Sequence, residues 1–360
     1  MKTAKRASAE MTKKIRILVL GTGGMAKAHA TAFNEDPRCE LVGTVDVVPG
    51  RAAEFAKQFG IKNHFDELDK AIAWGQFDAA TNVTPDAIHY PTTMKLLQAN
   101  KHVLCEKPLA ENFKLADEMA TTADKAGLIN MVNLTYRNVA ALHEARKLVT
   151  SGQLGNIRHV EASYRQSWLV GNHWGKWNEL PMWLWRLSHK HGSLGVLGDV
   201  GIHIMDFASF ACDAMPVSIQ SRLKTFYKAP GDQIGEYPLD ANDSAVMTVE
   251  YSNGALGIIQ ASRFMTGHDN ELHLRVHGDK GAVEVKHFEG WTELRMCLGD
   301  NVNTMAWNHI KPTPVETNYR KFITACVEGK NGDPDFRRAA DLQRVLDLCF
   351  DHDGEGAAKV

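Results

Sequence analysis

The chain has 360 residues, 44% apolar and 23% charged, with a formal net charge of −2. That length suggests two domains. A near-neutral chain has no long-range pull toward nucleic acid or anionic lipid, and no apolar run approaches membrane-spanning length, so neither partner is expected. Cys39, Cys105, Cys212, Cys297, Cys326 and Cys349 are scattered without a Cys-x-x-Cys pair. That pattern argues against a zinc site or a disulfide framework and for reduced thiols in a cytoplasmic protein.

Residues 1–14 are basic and polar and read as a disordered arm. Lysine and arginine precede Ile15 to Leu20 as they would in a signal peptide, but that run is short and leads into glycines instead of a longer apolar core. A strand is the better reading. It runs into Gly21-Thr22-Gly23-Gly24-Met25-Ala26, a G-x-G-x-x-A pattern opening a helical stretch from Met25 to Asn34. Gly21 allows a tight turn, Gly23 lets the backbone approach a pyrophosphate, and Ala26 permits close packing of helix on strand. The free N–H groups and dipole at the helix start would hold the phosphates. The next strand, Glu40 to Val45, ends in Asp46, near the offset expected of the acid that binds the adenosine ribose. A carboxylate there accepts hydrogen bonds from the ribose hydroxyls and repels a 2′-phosphate, so NAD is expected over NADP. The alternative is a cap or turn residue ahead of Pro49.

Helical patterns at Arg51 to Phe59, Ile88 to Ala99 and Asn112 to Ala126 alternate with strand patterns at Phe77 to Val83, Val103 to Cys105 and Ile129 to Asn133. Such alternation predicts a parallel sheet. Thr84-Pro85 closes one strand where a turn could pass under the nicotinamide half of a cofactor. His89 follows at a helix start, as a cofactor contact or as a helix-terminal histidine. Val103 to Cys105 ends abruptly in Glu106-Lys107-Pro108. Proline cannot continue a central strand, and ligands of open α/β sheets sit beyond the carboxyl ends of the strands. A lysine delivered there can hold substrate and move a proton. The alternative is a surface Glu–Lys pair after an edge strand.

Val139 to Thr150 is patterned as an amphipathic helix, and after Ser151-Gly152 the rhythm changes. Ile157 to Tyr164, Val217 to Tyr227 and Ala245 to Tyr251 read as longer strands. Ser252-Asn253-Gly254 then links Tyr251 to Ala255 through Ile259, a strong hairpin signal. Leu272, Leu274 and Val276 alternate with polar residues, as do Val283 and Val285 across Gly278-Asp279-Lys280-Gly281. Hairpin-linked strands imply an antiparallel sheet with one face on a core. The other face needs cover, which a second subunit would supply.

Trp168, Trp174, Trp177, Trp183 and Trp185 crowd one segment. Flat aromatic faces suit sugars and cyclitols, although self-packing or an oligomer contact is the alternative for each. Arg186 follows and could hold a hydroxyl or the cofactor amide. Asp199-Val200-Gly201-Ile202-His203 falls in a run that reads as helical from Leu197 to Ala211, so Asp199 and His203 share one helix face. Gly201 costs roughly 1 kcal/mol against alanine in a helix. A flat cofactor approaching closely would explain that cost, and a buried histidine with a capping aspartate is the alternative. His189-Lys190-His191 has no third ligand nearby in sequence and reads as a polar loop, so no metal is expected.

Together, G-x-G-x-x-A, Glu106-Lys107-Pro108, Trp185-Arg186 and Asp199-x-Gly-x-His203 followed by Asp206 resemble the Gfo/Idh/MocA family, the glucose–fructose oxidoreductase and inositol dehydrogenase relatives. The resemblance covers almost the whole chain after residue 14. It implies an α/β fold: an N-terminal Rossmann domain over residues 15–137 and a C-terminal α+β domain with a large, mostly antiparallel sheet over residues 138–360. It implies that a lysine, an aspartate and a histidine act on a secondary alcohol beside the nicotinamide, roles that fall here on Lys107, Asp199 and His203. It also implies a cis Lys107–Pro108 peptide and a homodimer or homotetramer built through the open sheet. Cys349-Phe350-Asp351-His352 departs from the Ser-Ala usual near there, and the tryptophan-rich segment is not shared across the family, so no particular substrate carries over.

The expected function is NAD-dependent hydride transfer between nicotinamide and a secondary alcohol of a small sugar or cyclitol. His203 would be the general base, Lys107 would stabilise charge developing on the oxygen, and Asp199 would orient the pair and tune their pKa values. Cofactor contacts are expected at Gly21, Thr22, Gly23, Gly24, Met25, Ala26, Asp46, Val47, Thr84, Pro85, His89, Glu106, Lys107 and Asn133. Substrate contacts are expected at Lys107, Tyr136, Trp185, Arg186, Asp199 and His203. The rivals are a non-catalytic NAD-binding sensor, a role in which relatives tend to lose the proton-transfer residues, and the family's NAD-dependent glycosidase branch.

Overall fold

A computed structural model of the chain describes residues 14–360, and the arm expected over residues 1–14 lies, Lys14 aside, outside the described residues. The chain divides into two compact units. In the first, β1 (Ile15–Leu20), α1 (Gly24–Asn34), β2 (Cys39–Val45), α2 (Arg51–Phe59), β3 (Asn63–Phe65), α3 (Leu68–Trp74), β4 (Ala79–Asn82), α4 (Asp86–Gln98), β5 (His102–Cys105), α5 (Phe113–Ala126) and β6 (Asn130–Val132) follow one another. The six strands form one parallel sheet in the order β3-β2-β1-β4-β5-β6. The order reverses between β1 and β4, the switch point where such sheets bind ligand. β3 and α3 are additional to the predicted elements, because a three-residue strand is too short to carry an alternation signal. β5 lies between β4 and β6, so Glu106 and Lys107 do not follow an edge strand.

The second unit contains α6 (Ala140–Thr150), β7 (Ile157–Arg165), α7 (Pro181–Leu184), α8 (Ile202–Ala211), β8 (Pro216–Lys224), a ribbon of β9 (Gln233–Ile234) and β10 (Tyr237–Pro238), β11 (Ser244–Tyr251), β12 (Leu256–Ser262), β13 (Glu271–Gly278), β14 (Gly281–Phe288), β15 (Trp291–Leu298), α9 (Asn301–Thr304) and β16 (Asn308–His309). Helices α10 (Asn318–Glu328) and α11 (Phe336–Asp351) come next in the chain, then β17 (Ala358–Lys359). A nine-stranded sheet runs β16-β15-β14-β13-β7-β12-β11-β8-β17. Its pairings are antiparallel except β7 with β12. The predicted hairpin forms: Glu250 pairs with Leu256 across a turn in which Gly254 takes φ 82°, a left-handed value that suits glycine. Leu274 faces Val285 and Val276 faces Val283, as their alternation predicts. Helices α6 and α8 lie on one face of this sheet, and every residue of α8 is buried. Val246, Leu256 and Ile258 are exposed on β11 and β12.

Residues 316–337, expected in the second domain, belong to the first unit. Tyr319, Phe322, Ile323 and Ala325 of α10 join Ile17, Phe33, Leu104, Ile129 and Met131 in one apolar cluster. Burying each large side chain contributes about 1.5–3 kcal/mol, enough to return the helix to a sheet laid down much earlier in the chain. All six cysteines are free, and burial pushes the thiols of Cys39, Cys212, Cys326 and Cys349 up to about 12. No helix among the described residues is long and apolar enough to cross a membrane.

Candidate active site

The turn after β1 is built for close backbone approach. Gly21 takes φ 85°, and a Cβ there would stand 2.6 Å from the Val83 carbonyl oxygen. At Gly23 and Gly24 a Cβ would meet nothing within 4 Å. Helix α1 begins at Gly24 with no side chain capping its N–H groups and no acidic residue in its first turn. Orphan N–H groups at a helix start attract an anion, and the open space over the two glycines leaves room for a pyrophosphate. The residues therefore fit a dinucleotide. Met25 is half-exposed, whereas Ala26 packs with Val19, Ala30 and Phe55, the close helix–strand contact its small size permits.

Asp46 follows β2. Its Oδ2 accepts hydrogen bonds from the Thr22 N–H at 3.0 Å and the Thr22 hydroxyl at 2.6 Å, and its Oδ1 accepts from the Val48 N–H at 2.9 Å. The Arg51 guanidinium lies 3.8 Å away. Burial works to raise the pKa of Asp46, but the bonds from Thr22 and Val48 and the charge of Arg51 hold it below the ordinary value. The carboxylate thus stays charged where the ribose is expected. Thr22, expected at the cofactor, orients Asp46 through both its N–H and its hydroxyl. Val47 is exposed beside it.

Beyond β4, the Thr84 N–H and hydroxyl donate to Asn82 Oδ1 at 3.3 and 2.7 Å, and the Asn82 amide donates to the hydroxyls of Thr92 and Thr93. Pro85 stands at the start of α4. His89 is fully buried, its ring nitrogens 2.7 Å from the Pro108 carbonyl oxygen and 2.8 Å from that of Thr84. His89 thus braces the two turns that follow β4 and β5.

β5 delivers Glu106 and then a half-buried Lys107, and the Lys107–Pro108 peptide is cis, as the family resemblance implies. Glu106 turns inward. Its Oε1 lies 2.8 Å from His29 Nε2 and accepts from the Asn133 amide at 2.7 Å, while the Lys107 N–H stands 3.3 Å from Oε2. His29, fully buried on α1, has its other nitrogen 2.7 Å from the Thr81 hydroxyl. The Asn133 amide also donates to the Tyr319 hydroxyl at 3.2 Å, and its carbonyl accepts from Asn318 at 3.3 Å. Burial works to raise the Glu106 pKa, yet the hydrogen bond and charge of His29 and the Asn133 amide hold it down to about 2. Glu106 and Asn133 engage polar groups inside the unit, and these bonds fix the residue before Lys107. His29 escapes the sequence reading. Its spacing from Ala26, Ala30 and Phe33, the buried face of α1, is the signal that marks it.

In the second unit the run from Leu197 to Ala211 is not one regular helix. Leu197–Gly201 forms a π turn and α8 begins at Ile202. Such turns are rare and gather at functional sites. Asp199 and His203 therefore lie on different helical segments, and the shared face of a regular helix does not describe them. At Gly201 a Cβ would stand 2.9 Å from the end of the Leu197 side chain, a contact inside the turn itself.

Two arginines meet Asp199 at one oxygen: Arg263 Nη2 donates to Oδ2 at 3.1 Å, and Arg186 Nε stands 3.8 Å from the same atom. His203 is buried on α8 with its ring edge-on to Tyr136, centroids 5.1 Å apart. The Tyr136 hydroxyl is hydrogen-bonded to that of Tyr164 on β7, which donates to Asn270 at 3.0 Å. Burial pushes the Tyr136 phenol up to about 12, so it remains a neutral hydrogen-bonding group. His287 also meets the Tyr136 ring, at 5.8 Å. The sequence reading misses Arg263, Tyr164 and His287, whose partners are far away in the chain. Asp206 anchors α8: it accepts from Arg137 at 2.5 and 2.8 Å and from Arg338 at 2.9 Å. Burial opposes its charge, but the two arginines hold its pKa down to about 2.

The tryptophan-rich segment is mostly its own core. Trp168, Leu169, Leu184, Leu187 and Leu239 cluster, with Trp174, Trp177 and Trp183 packed against them. Trp183 stacks on Trp174 at 5.6 Å and donates to its carbonyl at 3.1 Å. Trp185 stays half-buried, with the Arg186 guanidinium 4.5 Å from its ring.

The parallel sheet, the uncapped helix start over open glycines and the charged Asp46 define an oxidoreductase class built on an NAD-binding Rossmann fold. Residues 15–134 match the family model described as an oxidoreductase family with an NAD-binding Rossmann fold, and residues 142–284 match that of the GFO/IDH/MocA C-terminal domain. The chain belongs to the Gfo/Idh/MocA family. It is 24% identical to the levoglucosan dehydrogenase of Pseudarthrobacter phenanthrenivorans, over 80% of this chain and 77% of that protein. It is 28% identical to the inositol 2-dehydrogenase of Rhizobium meliloti, over 79% of each chain. Among solved structures, an oxidoreductase domain protein from Kribbella flavida is similar with a TM-score of 0.85 and 28% identity, covering 97% of this chain and 99% of that one.

Proposed function

We propose that the chain is an NAD-dependent dehydrogenase acting on a secondary alcohol of a sugar or cyclitol. The observation that carries this reading is Lys107, set directly after a buried, ionised Glu106 at the carboxyl end of an interior strand of the dinucleotide-binding sheet. The relatives named for levoglucosan and inositol support the substrate class.

NAD, when bound, accepts the hydride. Lys107 holds the substrate oxygen and stabilises the negative charge that develops there. His203 takes the hydroxyl proton, a task suited to a side chain whose ordinary pKa lies near neutrality. Asp199, fixed by Arg186 and Arg263, orients the reacting groups, and the neutral Tyr136 hydroxyl stands ready to hydrogen-bond a substrate hydroxyl. Thr22 and Val48 hold Asp46 for the adenosine ribose. Trp185 and Arg186 complete the substrate contacts. The exposed Val246, Leu256 and Ile258 support a homodimer or homotetramer through the nine-stranded sheet, and the free, buried thiols support a cytoplasmic home.

The test is to follow reduced nicotinamide while a panel of sugars, anhydrosugars and inositols is offered with NAD. Formation of NADH with at least one of them supports the reading. Binding of NADH without turnover favours a sensor, and release of a free sugar from a glycoside without net NADH favours a glycosidase.

A further inference from the structure

We propose that Arg263 is a positioning residue for Asp199 and that it ties the tryptophan-rich segment to that carboxylate. This rests on the role given to Asp199 above. Arg263 lies just past β12 and is fully buried. A buried guanidinium is costly unless charged and polar partners surround it. Its Nη2 donates to Asp199 Oδ2 at 3.1 Å and its Nη1 donates to the Arg186 carbonyl oxygen at 3.0 Å. Its plane stands 5.0 Å from the ring of Trp168, the most deeply buried tryptophan of the segment. Its own N–H donates to the Asp243 carbonyl at 3.0 Å, which fixes its backbone. The Asp243 carboxylate is engaged elsewhere, by Lys228 at 2.6 Å and the Phe226 N–H at 2.8 Å.

One planar group therefore touches the core of the segment, the backbone of Arg186 and the carboxylate of Asp199. Arg186 Nε approaches the same carboxylate oxygen, Oδ2, at 3.8 Å, while its Nη1 donates to the Met182 carbonyl at 2.9 Å. Two cations thus converge on Asp199 Oδ2, and each lies over a tryptophan ring, Arg263 over Trp168 and Arg186 over Trp185. A lysine at 263 keeps the charge but lacks the rigid fork that serves a carboxylate and a carbonyl together.

The experiment is a double-mutant cycle of Arg263→Gln with Asp199→Asn, read as kcat and KM for an oxidised polyol. Arg263→Gln alone should lower kcat by at least about tenfold, whereas in the Asp199→Asn background it should cost about twofold or less, because its route of action is already gone. Arg263→Lys should fall between wild type and Arg263→Gln, and NADH affinity should hold within about twofold in every variant. Equal losses in both backgrounds would overturn the proposal, because an arginine with a purely structural role acts whether or not Asp199 is charged. If Arg263→Gln does not fold, Arg263→Lys takes its place in the cycle. If the wild-type protein binds NADH but oxidises no polyol, the proposed function fails separately. The same cycle on urea unfolding then decides: coupling of the two substitutions supports the proposal, and additivity overturns it.

Discussion

Replacing Glu106 with glutamine keeps the shape of the side chain and removes its charge. In the folded protein that charge accepts from His29 and Asn133 at 2.8 and 2.7 Å in a largely buried setting. Burial alone would raise the pKa, yet it falls from 4.5 to about 2, so the partners more than offset desolvation. A drop of that size corresponds to roughly 3 kcal/mol of stability at neutral pH. The folded value lies below the unfolded one, so the contribution is fully present above about 4.5 and is lost as pH falls through about 2. Urea unfolding of the two proteins across a pH series reads it. Glu106→Gln should be less stable by about 3 kcal/mol near neutrality, and the gap should narrow steadily as the medium is acidified below the ordinary carboxylate pKa. A gap under about 1 kcal/mol at neutral pH, or one unchanged by acid, would refute the reasoning and leave the His29–Glu106 contact a weak one.

Asp46→Ser should narrow the preference for NAD over NADP by at least about tenfold in kcat/KM, roughly 1.4 kcal/mol, and a wild-type protein that uses NADP more efficiently contradicts the ribose assignment. The tryptophans should divide by role. Trp168→Ala should lower stability by about 3–5 kcal/mol, as large core truncations do, while Trp185→Ala should raise KM for substrate by the worth of a stacking face, on the order of 1 kcal/mol, and leave NADH affinity alone. Thermal unfolding and steady-state kinetics of the two variants separate these outcomes, and an unchanged KM in Trp185→Ala with lost stability would return Trp185 to packing.

What could be read from the sequence was local. Ile15 to Ala26 declares a strand, a glycine turn and a helix within a dozen neighbouring residues, and Asn253-Gly254 declares a hairpin, because in both places turn chemistry and periodicity agree over a short span. The abrupt stop after Cys105 points to Lys107 for the same reason. The remainder depended on contacts across the chain. Nothing near Arg263 announces Asp199, and nothing near Glu106 announces His29. The π turn at Leu197–Gly201 is hidden because its apolar pattern is also that of an ordinary helix, and only the wider turn parts Asp199 from His203. Helix α10 was unreadable as part of the first unit because its amphipathic pattern says that it buries a face, not which sheet receives it. The internal hydrogen bonds of Glu106, Asn133 and His89 were hidden as well, because backbone position at a strand or helix end does not show which way a side chain turns.

The most direct measurement is the pH profile of kcat for alcohol oxidation in wild type, His203→Ala and Lys107→Ala. A base must be unprotonated for hydride to leave, so wild-type oxidation should rise with pH through one ionisation and then level off. His203→Ala should lower kcat by roughly 10²–10⁴ and flatten that limb, with NADH binding intact. Lys107→Ala should be at least as damaging, because it removes charge at the reacting oxygen. A His203→Ala protein that keeps wild-type kcat and the same rising limb would contradict the account.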